Sequence, residues 1–217
     1  MYGFGDVHGC TCFCIKANGE IIFGRNSDMF PKLKSTSESI LYRPDNGYMF
    51  LGHSTAMITI EDGINEHGLA VGMNFLVTKC KRPGLNSGLL IRHILESCRT
   101  VEEGISVLQQ LPISSTQNII MIDKLGDMAV AECSPHMLII RKPEGNNNFL
   151  VSSNHFVDDI MQNEHANPEA NWYHSYDRYD AVFNALSQKQ DEISANYAMA
   201  VLGGKHDSDK GNDSFVL

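Results

Sequence analysis

His8-Gly9-Cys10-Thr11-Cys12-Phe13-Cys14-Ile15-Lys16-Ala17-Asn18-Gly19-Glu20-Ile21-Ile22-Phe23-Gly24-Arg25-Asn26-Ser27-Asp28 is the stretch on which the reading of the fold turns. Two apolar runs, 11–17 and 20–23, flank Asn18-Gly19, a dipeptide suited to the two positive-φ positions of a tight hairpin turn. The stretch therefore predicts a β-hairpin, and a polar loop over 25–37 is expected to follow. In an extended strand residues two apart share a face, so Cys10, Cys12 and Cys14 are expected on one side.

Working outward, further strands are predicted at 39–42, 48–51, 56–60 and 69–75, with turns at Asp45-Asn46-Gly47 and Asp62-Gly63 between them. The period then lengthens. Asn86 or Ser87 can cap a helix whose apolar positions are Leu90, Ile91, Ile94, Leu95 and Cys98. Thr100 with Glu103 forms a capping box, opening a helix that carries Ile105, Leu108 and Leu111 before Pro112. Strand patterns return at 118–123, 128–133, 137–141 and 148–152. A third helix runs through Trp172, Tyr176, Tyr179, Phe183 and Leu186, and a fourth spans 191–202 and ends at Gly203-Gly204. Strands, helices, strands, helices make an α+β chain, and two sheets packed face to face between helix layers use every element. One domain over 10–204 is expected, with a polar tail at 205–217.

Composition narrows the partners. The chain has 217 residues, 42% of them apolar, and a net charge of -9, which disfavours nucleic acid and anionic membrane surfaces. No apolar run approaches the roughly 18 residues needed to span a bilayer. The start has neither the basic region nor the apolar core of a secretory signal, so a cytoplasmic protein with reduced thiols is the expectation.

Among six cysteines, the cluster at 10, 12 and 14 demands a reading. On a straight strand, neighbours about 6.5–7 Å apart cannot both bind one zinc ion, whose sulfur ligands lie at most about 4.6 Å apart; a shared metal or redox cluster requires the segment to bend. Cys12 and Cys14 are therefore read as small buried hydrophobes. Cys10 differs because Gly9 precedes it. Its thiol can attack the Gly9 carbonyl, and hydrolysis of the resulting thioester frees Cys10 as a new N-terminus, with 1–9 as a discarded leader. The freed α-amine, of ordinary pKa about 7.7–8.0, can serve as the base for the thiol on its own residue. Arg25 and Asp28 follow the hairpin: either a solvated pair, or a guanidinium that favours the thiolate with a carboxylate that orients the amine. Asn74 and Asn154 each end a predicted strand, as turn residues or as donors to an oxyanion. Arg178 is either a surface charge beside Asp177 and Asp180 or part of a site.

In order, Gly9-Cys10-Thr11, Gly24-Arg25-Asn26-x-Asp28, Asp62-Gly63-Ile64-Asn65-Glu66-x-Gly68-Leu69-Ala70-Val71, Asn154-His155-Phe156 and Ser175-x-x-Arg178-Tyr179 resemble the isopenicillin N acyltransferase-like family. That family is related to the choloylglycine hydrolases and penicillin V acylases, N-terminal-nucleophile enzymes of αββα fold. The resemblance implies Cys10 as nucleophile, Arg25 and Asp28 as its supports, Asn74 and Asn154 as oxyanion or substrate-positioning amides, and Arg178 as an active-site arginine. It implies acyl transfer through a thioester on non-peptide linear amides, with a small-molecule amide or acyl partner and no metal or cofactor. Relatives generally carry further strands beyond the equivalent of Gly204, so C-terminal strands are expected to be missing here, with exposed apolar surface and self-association as consequences. Two other classes compete: a folded remnant without activity, and a thiol-based metal or redox binder using Cys10, Cys12 and Cys14.

Overall fold

The computed structural model describes residues 9–28, 36–54, 59–166, 171, 174–189 and 193–204. Expectations that fall on the leader before Gly9, on most of the strand at 56–60, on Trp172, on Asp191 and on the tail at 205–217 lie outside the described residues. Within those residues ten strands and four α-helices follow one another: β1 (Gly9–Ala17), β2 (Glu20–Asp28), β3 (Glu38–Tyr42), β4 (Phe50–Ser54), β5 (Asp62–Asn65), β6 (Ala70–Phe75), α1 (Ser87–Ser97), α2 (Val101–Gln110), β7 (Gln117–Ile122), β8 (Met128–Cys133), β9 (Leu138–Arg141), β10 (Phe149–Ser152), α3 (Ser175–Lys189) and α4 (Ala195–Leu202). Among the described residues no helix is long and apolar enough to cross a membrane.

The hairpin forms about Asn18 and Gly19, whose φ values of 54° and 78° are those a two-residue primed turn requires. Two sequence expectations change. The polar stretch after Phe23 is not a loop at first: β2 continues to Asp28 because each residue pairs across to β1, as far as Gly9 opposite Asp28. Asp62-Gly63 is not a turn but the start of β5, paired on both sides with β4 and β6. Both N-caps form, with Asn86 Oδ1 accepting from Leu89 N and Thr100 Oγ1 from Glu103 N, but the return bond of the capping box goes from Arg99 N rather than Thr100 N to Glu103 Oε2.

Strand order is β10-β1-β2 in a three-stranded sheet and β3 to β9 consecutively in a seven-stranded one. Alternation along β1 divides the packing. Phe13 and Ile15 point outward onto Val182, Leu186 and Val201 of α3 and α4, while Cys12 and Cys14 point inward onto Ala70, Ile120, Ile122 and Val130. The outer face of the larger sheet, with Val71, Ile119 and Met121, packs on Leu90, Ile94 and Leu108 of α1 and α2. The layers are thus α, β, β, α, as the element order predicts.

The sandwich is unequal. One inner-face row of the larger sheet runs Leu41, Leu51, Ile64, Ala70, Ile122, Met128 across six paired strands. Ala70, Ile122 and Met128 are buried under the smaller sheet, but Leu41, Leu51 and Ile64 stand 51%, 48% and 47% exposed. Among the described residues the smaller sheet ends at β2, before it reaches them.

Asn65 pins the β5–β6 turn to α1. It is buried, donates to the Leu95 and Cys98 carbonyls, and accepts from the amides of His67 and Leu69. Gly68, at φ +82°, supplies the left-handed residue of that turn.

Candidate active site

Cys10 stands at the start of β1, half-buried, opposite Ser27. Arg25 pairs with Cys12, one inner-face step away, and its side chain reaches back: Nη2 lies 3.6 Å from Cys10 Sγ. The guanidinium is almost wholly buried, at 3% exposure, and has two carboxylate partners, Asp62 Oδ2 at 2.6 Å and Glu61 Oε2 at 3.2 Å. Its Nε donates to the Met73 carbonyl at 3.1 Å. Burial works against its charge, but Cys10, Cys12, Asp62 and Glu61 outweigh that and hold its pKa above the ordinary arginine value. Ser27 Oγ donates to Glu61 at 2.9 Å, so Glu61 is fixed from both sides.

The main chain of Cys10 is held separately. Its amide donates to Asn154 Oδ1 at 2.7 Å, and its carbonyl accepts from Arg178 Nη1 at 2.7 Å. Arg178 also donates to Asn154 Oδ1 at 2.7 Å and to Thr11 Oγ1 at 2.6 Å. It is therefore a buried member of the site rather than a surface charge. Burial lowers its pKa, against the pull of Asp28 and Cys10. Asn154 Nδ2 donates to the Phe75 carbonyl at 2.7 Å, tying the β10 end to the β6 end.

What brings residues 24 positions apart together is a buried knot. Ser153 Oγ donates to the Ser175 carbonyl at 3.0 Å, and His155 Nδ1 lies 2.8 Å from Ser175 Oγ and 3.0 Å from Ser153 Oγ. The His155 ring lies against Tyr176. Burial, with Arg141, Arg178 and His165 adding, pushes His155 down to about 4, so it is neutral at pH 7 and its Nδ1 can accept.

Asp28 pairs with Gly9. A Cβ built on Gly9 comes within 3.0 Å of Asp28 Oδ2 and 3.2 Å of Arg178 Nη2, so the two charged groups close around the Gly9–Cys10 peptide. Burial raises the Asp28 pKa, opposed by Arg178 and Arg25. Asn74 is placed differently. It is fully buried, accepts a hydrogen bond from Ser152 Oγ, and its side chain adjoins Cys12. Burial pushes the Cys12 thiol up to about 12 and the Cys14 thiol higher still, which leaves both as packed neutral thiols. Among the described residues no three His, Cys, Asp or Glu side chains are grouped to hold a metal ion.

Of the six residues singled out in the sequence, the structure brings Cys10, Arg25, Asp28, Asn154 and Arg178 together and sets Asn74 against Cys12 and Ser152. Sequence reasoning passed over Glu61, the partner role of Asp62, Thr11, and the Ser153–His155–Ser175 knot. Reading β5 as a strand would have turned Asp62, two residues before the inner-face Ile64, towards β2.

Two sheets stacked between helix pairs, with a half-buried cysteine at the start of an inner strand, define the N-terminal-nucleophile hydrolase fold, and solved structures agree. An N-acylethanolamine-hydrolyzing acid amidase ortholog from Caenorhabditis elegans superposes with TM-score 0.67 at 19% identity, over 89% of this chain and 85% of that one. Penicillin V acylase from Agrobacterium tumefaciens gives 0.52 at 18%, over 92% and 63%. A mutant of conjugated bile acid hydrolase from Clostridium perfringens gives 0.58 at 15%, over 90% and 78%. The chain belongs to the acyl-coenzyme A:6-aminopenicillanic acid acyl-transferase family, whose profile matches residues 14–211. That match begins after Cys10. No functionally curated protein matches the sequence significantly.

Proposed function

We propose that the protein is a self-processing cysteine amidohydrolase or acyltransferase acting on non-peptide linear amides, with Cys10 as nucleophile. The observation that carries this reading is convergence on one residue: Arg25 on the Cys10 thiol, Asn154 on its amide and Arg178 on its carbonyl.

In maturation the Cys10 thiol loses its proton, Sγ bonds to the Gly9 carbonyl carbon, and the Gly9–Cys10 C–N bond breaks, the nitrogen taking a proton. Water then cleaves the thioester, leaving a Gly9 carboxylate and a free Cys10 thiol and amine. In turnover that amine accepts the thiol proton, Sγ takes the substrate acyl group, and the amine portion of the substrate leaves protonated. Water or another amine releases the acyl group and restores the thiol.

Asp28, already beside Gly9, is suited to orient the new amine. Arg25 favours the thiolate. Asn154 is the amide nearest the reacting residue, and it serves the oxyanion by exchanging its bond to the Phe75 carbonyl for one to the substrate oxygen. Asn74, packed on Cys12 and Ser152, supports the strand from behind. The competing reading, a folded domain without turnover, has the exposed Leu41–Leu51–Ile64 row in its favour.

The test is intact mass of the parent beside Cys10→Ala. Loss of residues 1–9 from the parent alone supports self-processing, and a leader retained through long incubation overturns it.

A further inference from the structure

The cluster behind Arg25 does not end at its carboxylates. His53 on β4 pairs across to Asp62 on β5, with Nδ1 3.4 Å from Asp62 Oδ2. The same oxygen receives Arg25 Nη1 at 2.6 Å. The other imidazole nitrogen, Nε2, is 2.6 Å from Ser37 Oγ. A serine hydroxyl donates or accepts with equal ease, so Ser37 can partner both the neutral ring and the imidazolium.

Charge counting shows why His53 matters. With Cys10 ionised, Arg25 faces Glu61, Asp62 and the thiolate, three negative charges against its one; Arg178, on the Cys10 carbonyl, is the other cation near the thiol among the described residues and touches neither carboxylate. A guanidinium shared by two carboxylates has little field left for a thiolate. A second positive charge on Asp62 restores it. The mechanism above makes no use of His53, whose side chain is 23% exposed and open to bulk protons.

We infer that His53 is a positioning residue for the Cys10 nucleophile: its imidazolium, by occupying Asp62, frees the field of Arg25 for the thiolate. The inference rests on Cys10 being the nucleophile. Among the described residues the charged groups facing His53 are Asp62 and Glu61, which favour its protonation, and Arg25, which opposes it. The hydrogen bond to Asp62 leads, burial pulls the other way, and the balance raises the imidazole above its ordinary value. The imidazolium therefore persists to higher pH than that of a free histidine.

The test reads the thiol directly. Full-length parent, His53→Gln and His53→Lys, all in a Cys80→Ser background that removes the exposed thiol, are alkylated with iodoacetamide between pH 5 and 9. Peptide mass mapping follows Cys10. The expected result is a rate in His53→Gln about threefold to tenfold below the parent near pH 6, converging with it as rising pH takes the proton off the parent imidazole. His53→Lys, charged throughout, keeps the parent's rate near pH 6. A ratio of His53→Gln to parent that is constant with pH, whether near one or not, overturns the inference while leaving Cys10 as a reactive nucleophile. A Cys10 inert in all three proteins at every pH overturns both this inference and the proposed function.

Discussion

Replacing Asn65 by alanine removes four hydrogen bonds at once. The side chain donates to Leu95 and Cys98 carbonyls at 3.0 and 2.7 Å and accepts from the amides of His67 and Leu69, each at 3.1 Å. Each such bond contributes about 1 kcal/mol net, and a buried partner left unpaired costs more. Leu95 and Leu69 are fully buried, whereas His67 is half-buried and can find water. The loss in Asn65→Ala is therefore about 3–4 kcal/mol. With an m-value of about 2 kcal/mol/M, the urea midpoint falls by about 1.5–2 M at unchanged slope. Asn65→Asp adds a sharper test. It keeps the two acceptor roles but turns an oxygen towards the two carbonyls, so it is expected to be at least as unstable as the alanine variant. Equilibrium urea unfolding at pH 7 measures both. A loss under about 1 kcal/mol in Asn65→Ala, or an aspartate variant milder than the alanine one, refutes the reasoning.

Three further outcomes are expected. Because the folded pKa of His155 is about 4 against 6.5 for the free side chain, the unfolded chain takes up its proton first as pH falls. Stability is then full above pH 6.5 and declines between 6.5 and 4, by up to about 3 kcal/mol; His155→Asn lacks that share of the slope in urea titrations across the window. Glu132 is fully buried, accepts from Arg141 Nε at 2.6 Å and from the amides of Val157 and Asp158, so Glu132→Gln strands a cation and costs about 3–5 kcal/mol, read as a drop in Tm by circular dichroism. Gly9→Ala places a methyl group 3.0 Å from Asp28 Oδ2, and a misfit of about 1.4 kcal/mol slows leader loss tenfold in a mass-spectrometric time course.

The hairpin, both helix caps and the layer order were legible because each rests on local signals: Asn18-Gly19, Asn86, Thr100 with Glu103, and alternation along β1. Arg25 and Asp28 were legible as residues, though their loop assignment was wrong. Polar side chains such as Asn26, which donates to the Leu202 carbonyl, hide a strand when its partners lie far off in the chain. Glu61 and the Ser153–Ser175 contact were hidden for the same reason: only tertiary pairing makes them neighbours. Asn65 teaches the converse. It sits in a run quoted for family resemblance, yet its four bonds serve the turn and α1 rather than the chemistry.

The row of Leu41, Leu51 and Ile64 bears on how the protein should be handled at the bench. Three aliphatic side chains about half exposed on adjacent paired strands form a flat greasy shelf, the kind of surface that takes up apolar fluorescent dyes. Such dyes are expected to light up on the folded protein at room temperature, before any melting. A dye-based thermal scan then starts bright and loses its baseline, mimicking a molten state in a chain whose core is packed. Backbone dichroism, blind to that shelf, is the sounder thermometer.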